Sequence, residues 1–263
     1  EDHWRKRTFQ AAVQDALAMG LNDCVRDRAI PLEVCSHIFL PADDHEAIIN
    51  IVWHLANQCR IRDIAITGGE TAIHEGSNGL EISITMLGIK RSLEANQFRD
   101  GDILIGIGSS GAHSNGFTRI HSMYDDWESL PDNITTPTLN YYNCLDGLDE
   151  VFSIHGMTHI TGGAFVKMKD QLGVHYDARI HRMHNLKPHP IFEEMFARGV
   201  KEEEMYRTFN CGIGFVIGID PNLVSVCLRA IRQKFNADII GSITSGNGSV
   251  YIESMFSEEK LTY

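Results

Sequence analysis

The chain has 263 residues, which is enough for two domains, and its 43% hydrophobic and 22% charged residues are ordinary values for a globular protein. Its formal net charge of −12 disfavours nucleic acid and anionic membranes as partners, because proteins bind both through positively charged surfaces. Six scattered cysteines without a C-x-x-C pair, and no apolar run near the roughly 18 residues of a membrane span, lead us to expect a cytoplasmic protein with reduced thiols.

The first third of the chain reads as a small α/β domain. Apolar residues at helical spacing predict amphipathic helices at 8–21 and 44–57. Strand patterns accompany these helices at 34–40, 63–67 and 80–89. Helices and strands in this order indicate a sheet with helices packed on it.

A polar segment at 91–102 marks a boundary, so we expect an N-terminal domain at 1–95 and a C-terminal domain at 96–263. The second domain opens with an apolar strand at 103–107. Its later predicted elements are a helix at 163–171, a strand at 215–219, a helix at 223–235 and a strand at 249–253. Both domains therefore belong to the α/β (α+β) class.

A turn rich in glycine and serine follows strand 103–107. Gly106–Gly111 satisfies the dinucleotide fingerprint G-x-G-x-x-G, but Asn115-Gly116 soon after favours a turn over the helix that this fingerprint requires. A phosphate-cradling turn fits better, because backbone N–H groups combine there with hydroxyl and imidazole donors. A solvated loop is the alternative. The side-chain donors are Ser109, Ser110, His113, Ser114 and Asn115.

A second turn with several donors, at 158–163, leads into the predicted helix 163–171. It contains Thr161 and the pair Gly162-Gly163, and a helix N-terminus attracts anions. An imidazole such as His159 can give or take a proton near neutral pH, although a helix-capping histidine is the structural alternative. A histidine-based zinc site is disfavoured, because the sequence has no H-E-x-x-H pattern.

Two acidic residues of the first domain are candidate metal ligands. The run Thr67-Gly68-Gly69-Glu70-Thr71 ends a predicted strand in a turn that would present Glu70 at the carboxyl edge of the sheet. Asp23 follows Asn22 at the end of the first helix. Carboxylates from separate elements can hold Mg²⁺ against the phosphates of ATP. A solvated glutamate and a helix-capping aspartate are the alternatives.

Taken together, these segments resemble the phosphoribosylformylglycinamidine cyclo-ligase (AIR synthetase) family. The matching blocks occur in the family's order along nearly the whole chain. They are Asn22-Asp23, Thr67–Ala72, Gly108–Phe117, His159–Gly163 and Met205–Gly214. The last two blocks are the most specific, because related synthetases share the layout but not these strings together.

The resemblance implies an AIR synthetase-like fold whose N-terminal domain joins that of a second subunit in a shared sheet or barrel. The homodimer would bind ATP at its interface together with Mg²⁺. Implied ATP- or phosphate-binding residues are Asn22, Asp23, Gly68, Gly69, Glu70 and Thr71, with Asp23 and Glu70 also as metal ligands. Implied substrate-binding residues are Ser109, Ser110, Ser114, Asn115, Gly116, Thr161, Gly162, Gly163, Arg207 and Asn210.

The implied reaction is ATP-dependent ring closure of formylglycinamidine ribonucleotide to 5-aminoimidazole ribonucleotide in de novo purine biosynthesis. Phosphorylation makes the formamide oxygen a leaving group, an amidine nitrogen attacks the activated carbon, and phosphate leaves. His159, with His113 as the alternative, would protonate the amide oxygen or stabilise its charge. Arg207 and Asn210 would contact the substrate or support the structure, and a buried ion pair is the structural alternative for Arg207.

Departures from the family leave two other functions open. A glycine-rich Gly-Thr-Lys segment that contacts ATP in the family does not occur in residues 1–21. Either this segment lies outside the chain, or the chain is a non-catalytic or divergent nucleotide-binding paralogue. A third hypothesis is another ATP-dependent synthetase of the superfamily, which the run Tyr206–Asn210 disfavours.

Overall fold

The structure is a computed structural model that describes all residues from Glu1 to Tyr263 and separates into two compact units. Unit 1 comprises Glu1–Leu93 and Asp132–Tyr142, and unit 2 comprises Glu94–Pro131 and Asn143–Tyr263. The sequence pattern did not indicate that segment 132–142 returns to the first unit. None of the helices combines the length and the apolar character that crossing a bilayer would require.

Unit 1 is a three-stranded sheet with its long helices on one face. Its elements are α1 (Asp2–Arg5), α2 (Phe9–Arg26), β1 (Ala29–Leu40), α3 (His45–Arg60), β2 (Ala65–Ile73) and β3 (Glu81–Lys90). The strand order is β2-β1-β3, with β1 parallel to β2 and antiparallel to β3. The two helices predicted from periodicity are confirmed, and α3 begins where the side chain of Asp44 accepts a hydrogen bond from the N–H of Ala47 at 2.9 Å.

The two faces of this sheet differ in burial. Val34 and Ile38 point toward α2 and α3 and are almost wholly buried, together with the apolar stripes of both helices. On the opposite face, Ile30, Leu87 and Ile89 are 41%, 54% and 60% exposed. Exposed apolar side chains on a sheet face are typical of a surface that binds another protein.

Unit 2 is built on a seven-stranded sheet. Its strands are β4 (Ile103–Gly108), β5 (Gly156–His159), β6 (Tyr176–Ile180), β7 (Ile213–Ile219), β8 (Ala237–Ser245), β9 (Val250–Glu253) and β10 (Lys260–Thr262). Its helices are α4 (Phe117–His121), α5 (Tyr142–Phe152, whose first residue lies in unit 1), α6 (Lys169–Leu172), α7 (Pro190–Ala197), α8 (Glu202–Thr208) and α9 (Val224–Ile231). The strand order is β10-β9-β6-β8-β4-β7-β5, and only β6 and β9 are parallel neighbours.

This topology excludes the dinucleotide fold. Strand β4 is antiparallel to both of its neighbours, β7 and β8, whereas the dinucleotide fingerprint belongs to a parallel βαβ unit. The helix expected at 163–171 is also different, because a 3-10 segment at Ala164–Met168 precedes the four-residue α6. Strand β8 was not predicted, because a register shift in its pairing with β4 interrupts the alternation of its side chains.

Candidate functional site

The loop that follows β4, residues 108–116, is anchored by later parts of unit 2. The N–H of Ser109 donates to the carbonyl of Gly212 at 3.0 Å. The carbonyl of Ser109 lies 2.9 Å from Nε2 of His189. Because both backbone groups of Ser109 have partners within the unit, the start of this loop has a defined conformation without any ligand.

Asn210 holds the same loop through its side-chain amide. Its Oδ1 accepts hydrogen bonds from the hydroxyl of Ser109 at 2.8 Å and from the N–H of Gly212 at 2.9 Å. Its Nδ2 donates to the carbonyl of Gly111 at 2.8 Å, and the residue is only 3% exposed. Of the two roles expected for Asn210, these contacts support the structural one.

His113 and Gly116 shape the rest of the 108–116 loop. His113 is 2% exposed, has a positive φ of 57°, and accepts a hydrogen bond from the N–H of Ser110 on Nε2 at 3.1 Å. Gly116 has a φ of 79°, and a Cβ at this position would overlap the ring of Phe209. Glycine is therefore required at residue 116 both by backbone conformation and by packing.

A second loop, residues 159–163, begins at the end of β5. His159 pairs with Phe215 of β7, its ring stacks on that phenylalanine with centroids 5.7 Å apart, and it is completely buried. Gly162 and Gly163 are exposed, whereas Thr161 is only 4% exposed. The loop thus places bare backbone at the surface immediately after a buried imidazole.

The two loops lie next to each other. A Cβ built on Gly162 would be 3.6 Å from Oδ1 of Asn115, which is ordinary van der Waals distance. The ammonium group of Lys167, in the 3-10 segment, donates to the hydroxyl of Thr161 at 3.2 Å. Lys167 was not among the predicted site residues, although it is the first basic residue after the pair Gly162-Gly163.

Arg207 is placed differently from the other candidates of unit 2. Its side chain is exposed at the end of α8, and its guanidinium lies over the ring of Tyr263 at 5.8 Å from the centroid. The buried ion pair considered for Arg207 is therefore wrong, because α8 buries Met205 and Tyr206 on its inner side and turns Arg207 outward.

The buried cysteines of unit 2 do not add a nucleophile to these loops. Burial raises the pKa of the Cys227 thiol to about 12, and it raises the pKa of the Cys211 thiol well above its usual value. Thiols with such pKa values are protonated at neutral pH, and only the thiolate is nucleophilic. The chemistry of this region therefore depends on imidazole, hydroxyl, amide and ammonium groups.

In unit 1, Asn22 is used inside the fold. It is fully buried, donates from Nδ2 to the carbonyl of Leu139 at 2.9 Å, and accepts the N–H of Tyr141 on Oδ1 at 2.8 Å. These bonds attach segment 132–142 to α2, so a direct contact between Asn22 and ATP is not supported. Asp23 lies in the last turn of α2, where its carboxylate is 45% exposed and 3.4 Å from Arg26.

The expected turn at residues 67–71 is wrong, because Gly68, Gly69, Glu70 and Thr71 lie inside the continuous strand β2. A Cβ on Gly69 would overlap the carbonyl of Ser36 on the neighbouring strand, so glycine serves close strand approach here. Glu70 pairs with His37 of β1, and both side chains are exposed.

The two proposed metal ligands do not meet within one chain. Glu70 shares the face of His37, whereas α2, which carries Asp23, packs on the opposite face of the sheet. The chain contains no group of three His, Cys, Asp or Glu side chains arranged to hold a metal ion. Each carboxylate has the oxygen donors that Mg²⁺ prefers, but one subunit does not bring the two carboxylates together.

The AIR synthase related proteins match this chain in both of their domains. Their N-terminal domain matches residues 3–90 and their C-terminal domain matches residues 99–253. Phosphoribosylformylglycinamidine cyclo-ligase of Clostridium perfringens is 32% identical over 263 residues, covering 95% of this chain and 79% of the relative. This chain belongs to the cyclo-ligase family. The Clostridium tetani member is also 32% identical, over 258 residues that cover 91% of this chain and 76% of the relative.

Solved structures similar to this family member have the same fold at lower identity. Hydrogenase maturation protein HypE from E. coli has a TM-score of 0.71 at 19% identity, covering 95% of this chain and 78% of that one. HypE in complex with ATP has the same TM-score at 16% identity and the same coverage. AaThiL with AMPPCP and TMP has a TM-score of 0.64 at 15% identity, covering 97% of this chain and 81% of that one.

Proposed function

We propose that the chain catalyses ATP-dependent ring closure of formylglycinamidine ribonucleotide to 5-aminoimidazole ribonucleotide, a step of de novo purine biosynthesis. The observation that carries this proposal is the approach of the 108–116 and 159–163 loops, with Asn115 beside Gly162. Each loop contains one of the candidate histidines, and both loops belong to blocks that the family shares. The relatives named for this reaction match nearly the whole chain.

The loops of unit 2 would bind the ribonucleotide and orient its formamide and amidine groups. Exposed Gly162 and Gly163 allow a ligand to approach the backbone closely, and Ser114 is exposed on the neighbouring loop. His159 would give a proton to the amide oxygen or stabilise its charge. His113, which the N–H of Ser110 holds in place, would orient the 108–116 loop.

The strand β2 would bind ATP along Gly68–Thr71, where all four residues are exposed. Nucleotide-bound HypE and AaThiL structures with this fold support a nucleotide site in the chain. Asp23 and Glu70 would hold Mg²⁺, which neutralises phosphate charge when it is bound. Because these carboxylates lie on opposite faces of the sheet, we assign them to one nucleotide only from different subunits.

A homodimer follows from the same sheet. Its uncovered face carries Ile30, Leu87 and Ile89, and both β2 and β3 are edge strands that a second copy could extend or cover. Pairing two such faces would bury the exposed apolar side chains. The proposed substrates are small soluble metabolites, so we propose a cytoplasmic enzyme that requires neither nucleic acid nor a membrane.

The direct test is to incubate the purified chain with formylglycinamidine ribonucleotide, ATP and Mg²⁺ and to quantify the products by liquid chromatography and mass spectrometry. We expect ADP, phosphate and 5-aminoimidazole ribonucleotide in equal amounts. ATP binding without ADP formation would instead identify a nucleotide-binding paralogue. ADP formed only with another amide or acid substrate would identify a different synthetase.

A further inference from the structure

Lys167 supplies a positive charge at the 159–163 loop of a chain whose net charge is −12. The residue is half-buried in the 3-10 segment that follows the exposed glycines. Its ammonium donates to the hydroxyl of Thr161 at 3.2 Å, and Thr161 is itself only 4% exposed. One of three ammonium donors therefore fixes the lysine to the loop, and the other two are available for a ligand.

The other groups of the two loops do not provide this charge. The hydroxyl of Ser109 donates to Asn210, and Nε2 of His113 accepts from Ser110. Arg207, the arginine expected to contact substrate, packs over Tyr263. A dianion that reaches the exposed backbone of residues 162–163 would therefore meet a positive charge at Lys167.

We propose that Lys167 binds the phosphate monoester of the ribonucleotide substrate, an inference that rests on the proposed function. A lysine ammonium is a compact charge that binds phosphate without requiring a planar, bidentate geometry. The glycine pair beside it lets phosphate oxygens approach backbone N–H groups, which add neutral donors to the charged one. The phosphates of ATP are assigned to β2 in unit 1, so a change at Lys167 should affect binding of the ribonucleotide and not binding of ATP.

The test compares binding of formylglycinamidine ribonucleotide with binding of its dephosphorylated riboside by isothermal titration calorimetry. We expect Lys167→Met to weaken ribonucleotide binding roughly 10- to 100-fold, the scale of a lost charge-assisted hydrogen bond. Binding of the riboside and of ATP should not change. Lys167→Arg should restore most of the affinity, and the exposed neighbour provides a matched control, Lys169→Met, that should bind like the wild type.

Three results would overturn the assignment. Unchanged ribonucleotide binding in Lys167→Met would remove Lys167 from the site. An equal loss for the riboside would mean that Lys167 supports the loop rather than the phosphate. A selective loss of ATP affinity would assign the lysine to the nucleotide. If the wild-type protein binds no ribonucleotide, the proposed function itself is contradicted. If the wild type binds and turns over the ribonucleotide normally and Lys167→Met is unaffected, only the role of Lys167 is contradicted.

Discussion

The two regions that carry the candidate site residues are built in opposite ways. In unit 2, the buried side chain of Asn210 holds the 108–116 loop with two hydrogen bonds, to Ser109 and Gly111, and makes a third with Gly212. In unit 1, the Gly68–Thr71 stretch lies on an edge strand, and the sheet leaves apolar side chains exposed. One subunit therefore has well-anchored loops at the proposed substrate site, whereas the proposed nucleotide residues lie on an edge strand beside an uncovered sheet face.

This difference has a physical origin. Loop backbone groups that find partners within the chain do not require a ligand to define their conformation, so the 108–116 loop is preorganised for the role proposed for it. A three-stranded sheet with helices on one face keeps its other face in water until a second layer covers it. Asp23 and Glu70 lie on opposite sides of that sheet, so folding of one copy does not bring the two carboxylates together.

The largest effect is expected from removing the imidazole of His159. If His159 acts on the amide oxygen, His159→Asn should lower kcat about 10²-fold or more, the usual scale for a positioned acid or base. ATP affinity should not change, because the residues proposed to bind ATP are in unit 1. Steady-state kinetics, ATP titration and thermal melting on one preparation separate the possibilities: a lowered melting temperature with normal kcat would assign His159 a structural role only.

His113→Ala is the matched comparison for that variant. Because Nε2 of His113 accepts the N–H of Ser110, losing the ring should loosen the 108–116 loop. We expect KM for the ribonucleotide to rise more than kcat falls. A larger fall in kcat for His113→Ala than for His159→Asn would exchange the roles of the two histidines.

Packing of the preformed loop can be broken at Gly116. A methyl group at this position would overlap the ring of Phe209, and the alanine would have to adopt the φ of 79° that glycine has here. Gly116→Ala should therefore lower the free energy of unfolding by roughly 3 kcal/mol. Gly147 in α5 has open space around it, and Gly147→Ala should leave stability unchanged or slightly raised. Thermal and urea unfolding measure this difference. Equal stability of the two variants would contradict the overlap with Phe209.

The proposed dimer contact of unit 1 can be tested at Leu87, which is 54% exposed on the uncovered face of the sheet. A charge there would be buried in the proposed dimer, so Leu87→Asp should raise the dimer dissociation constant about 100-fold while the monomer remains folded. Val226 on α9 is 52% exposed in unit 2, and Val226→Asp is the control. Sedimentation velocity that finds no change for Leu87→Asp relative to this control would place the dimer contact elsewhere.

Periodicity was sufficient for the two long helices of unit 1 and for β4. Helices α2 and α3 bury one stripe each, and β4 is a continuous apolar strand, so their patterns have one interpretation. The loop that contains Gly116 and the turn at Gly162-Gly163 were also located correctly, although Thr158 and His159, which were included in the second predicted turn, belong to β5. Helix periodicity and glycine-containing turns depend on residues that are close in sequence, so the sequence alone is enough to predict them.

The rest depended on partners distant in sequence. Gly68-Gly69 has the composition of a turn, but the close approach of Ser36 from the next strand makes it part of β2. Segment 132–142 joins unit 1 through Asn22, more than a hundred residues earlier. The contact between Lys167 and Thr161 requires the 3-10 turn after Gly163, whereas the sequence pattern predicted an α-helix there.

If Asp23 and Glu70 serve one nucleotide from different subunits, two variants that are inactive alone should restore activity when they are mixed. Asp23→Asn and Glu70→Gln should each abolish turnover while largely preserving the melting temperature, because the Glu70 side chain is exposed, that of Asp23 is 45% exposed, and each substitution keeps the size of the side chain. Unfolding and refolding the two together in equal amounts should restore about one quarter of wild-type activity, since half of the dimers would be mixed and each would hold one intact site. Tags on the subunits would verify that mixed dimers form. If mixed dimers form but remain inactive, Asp23 and Glu70 do not serve one nucleotide from different subunits.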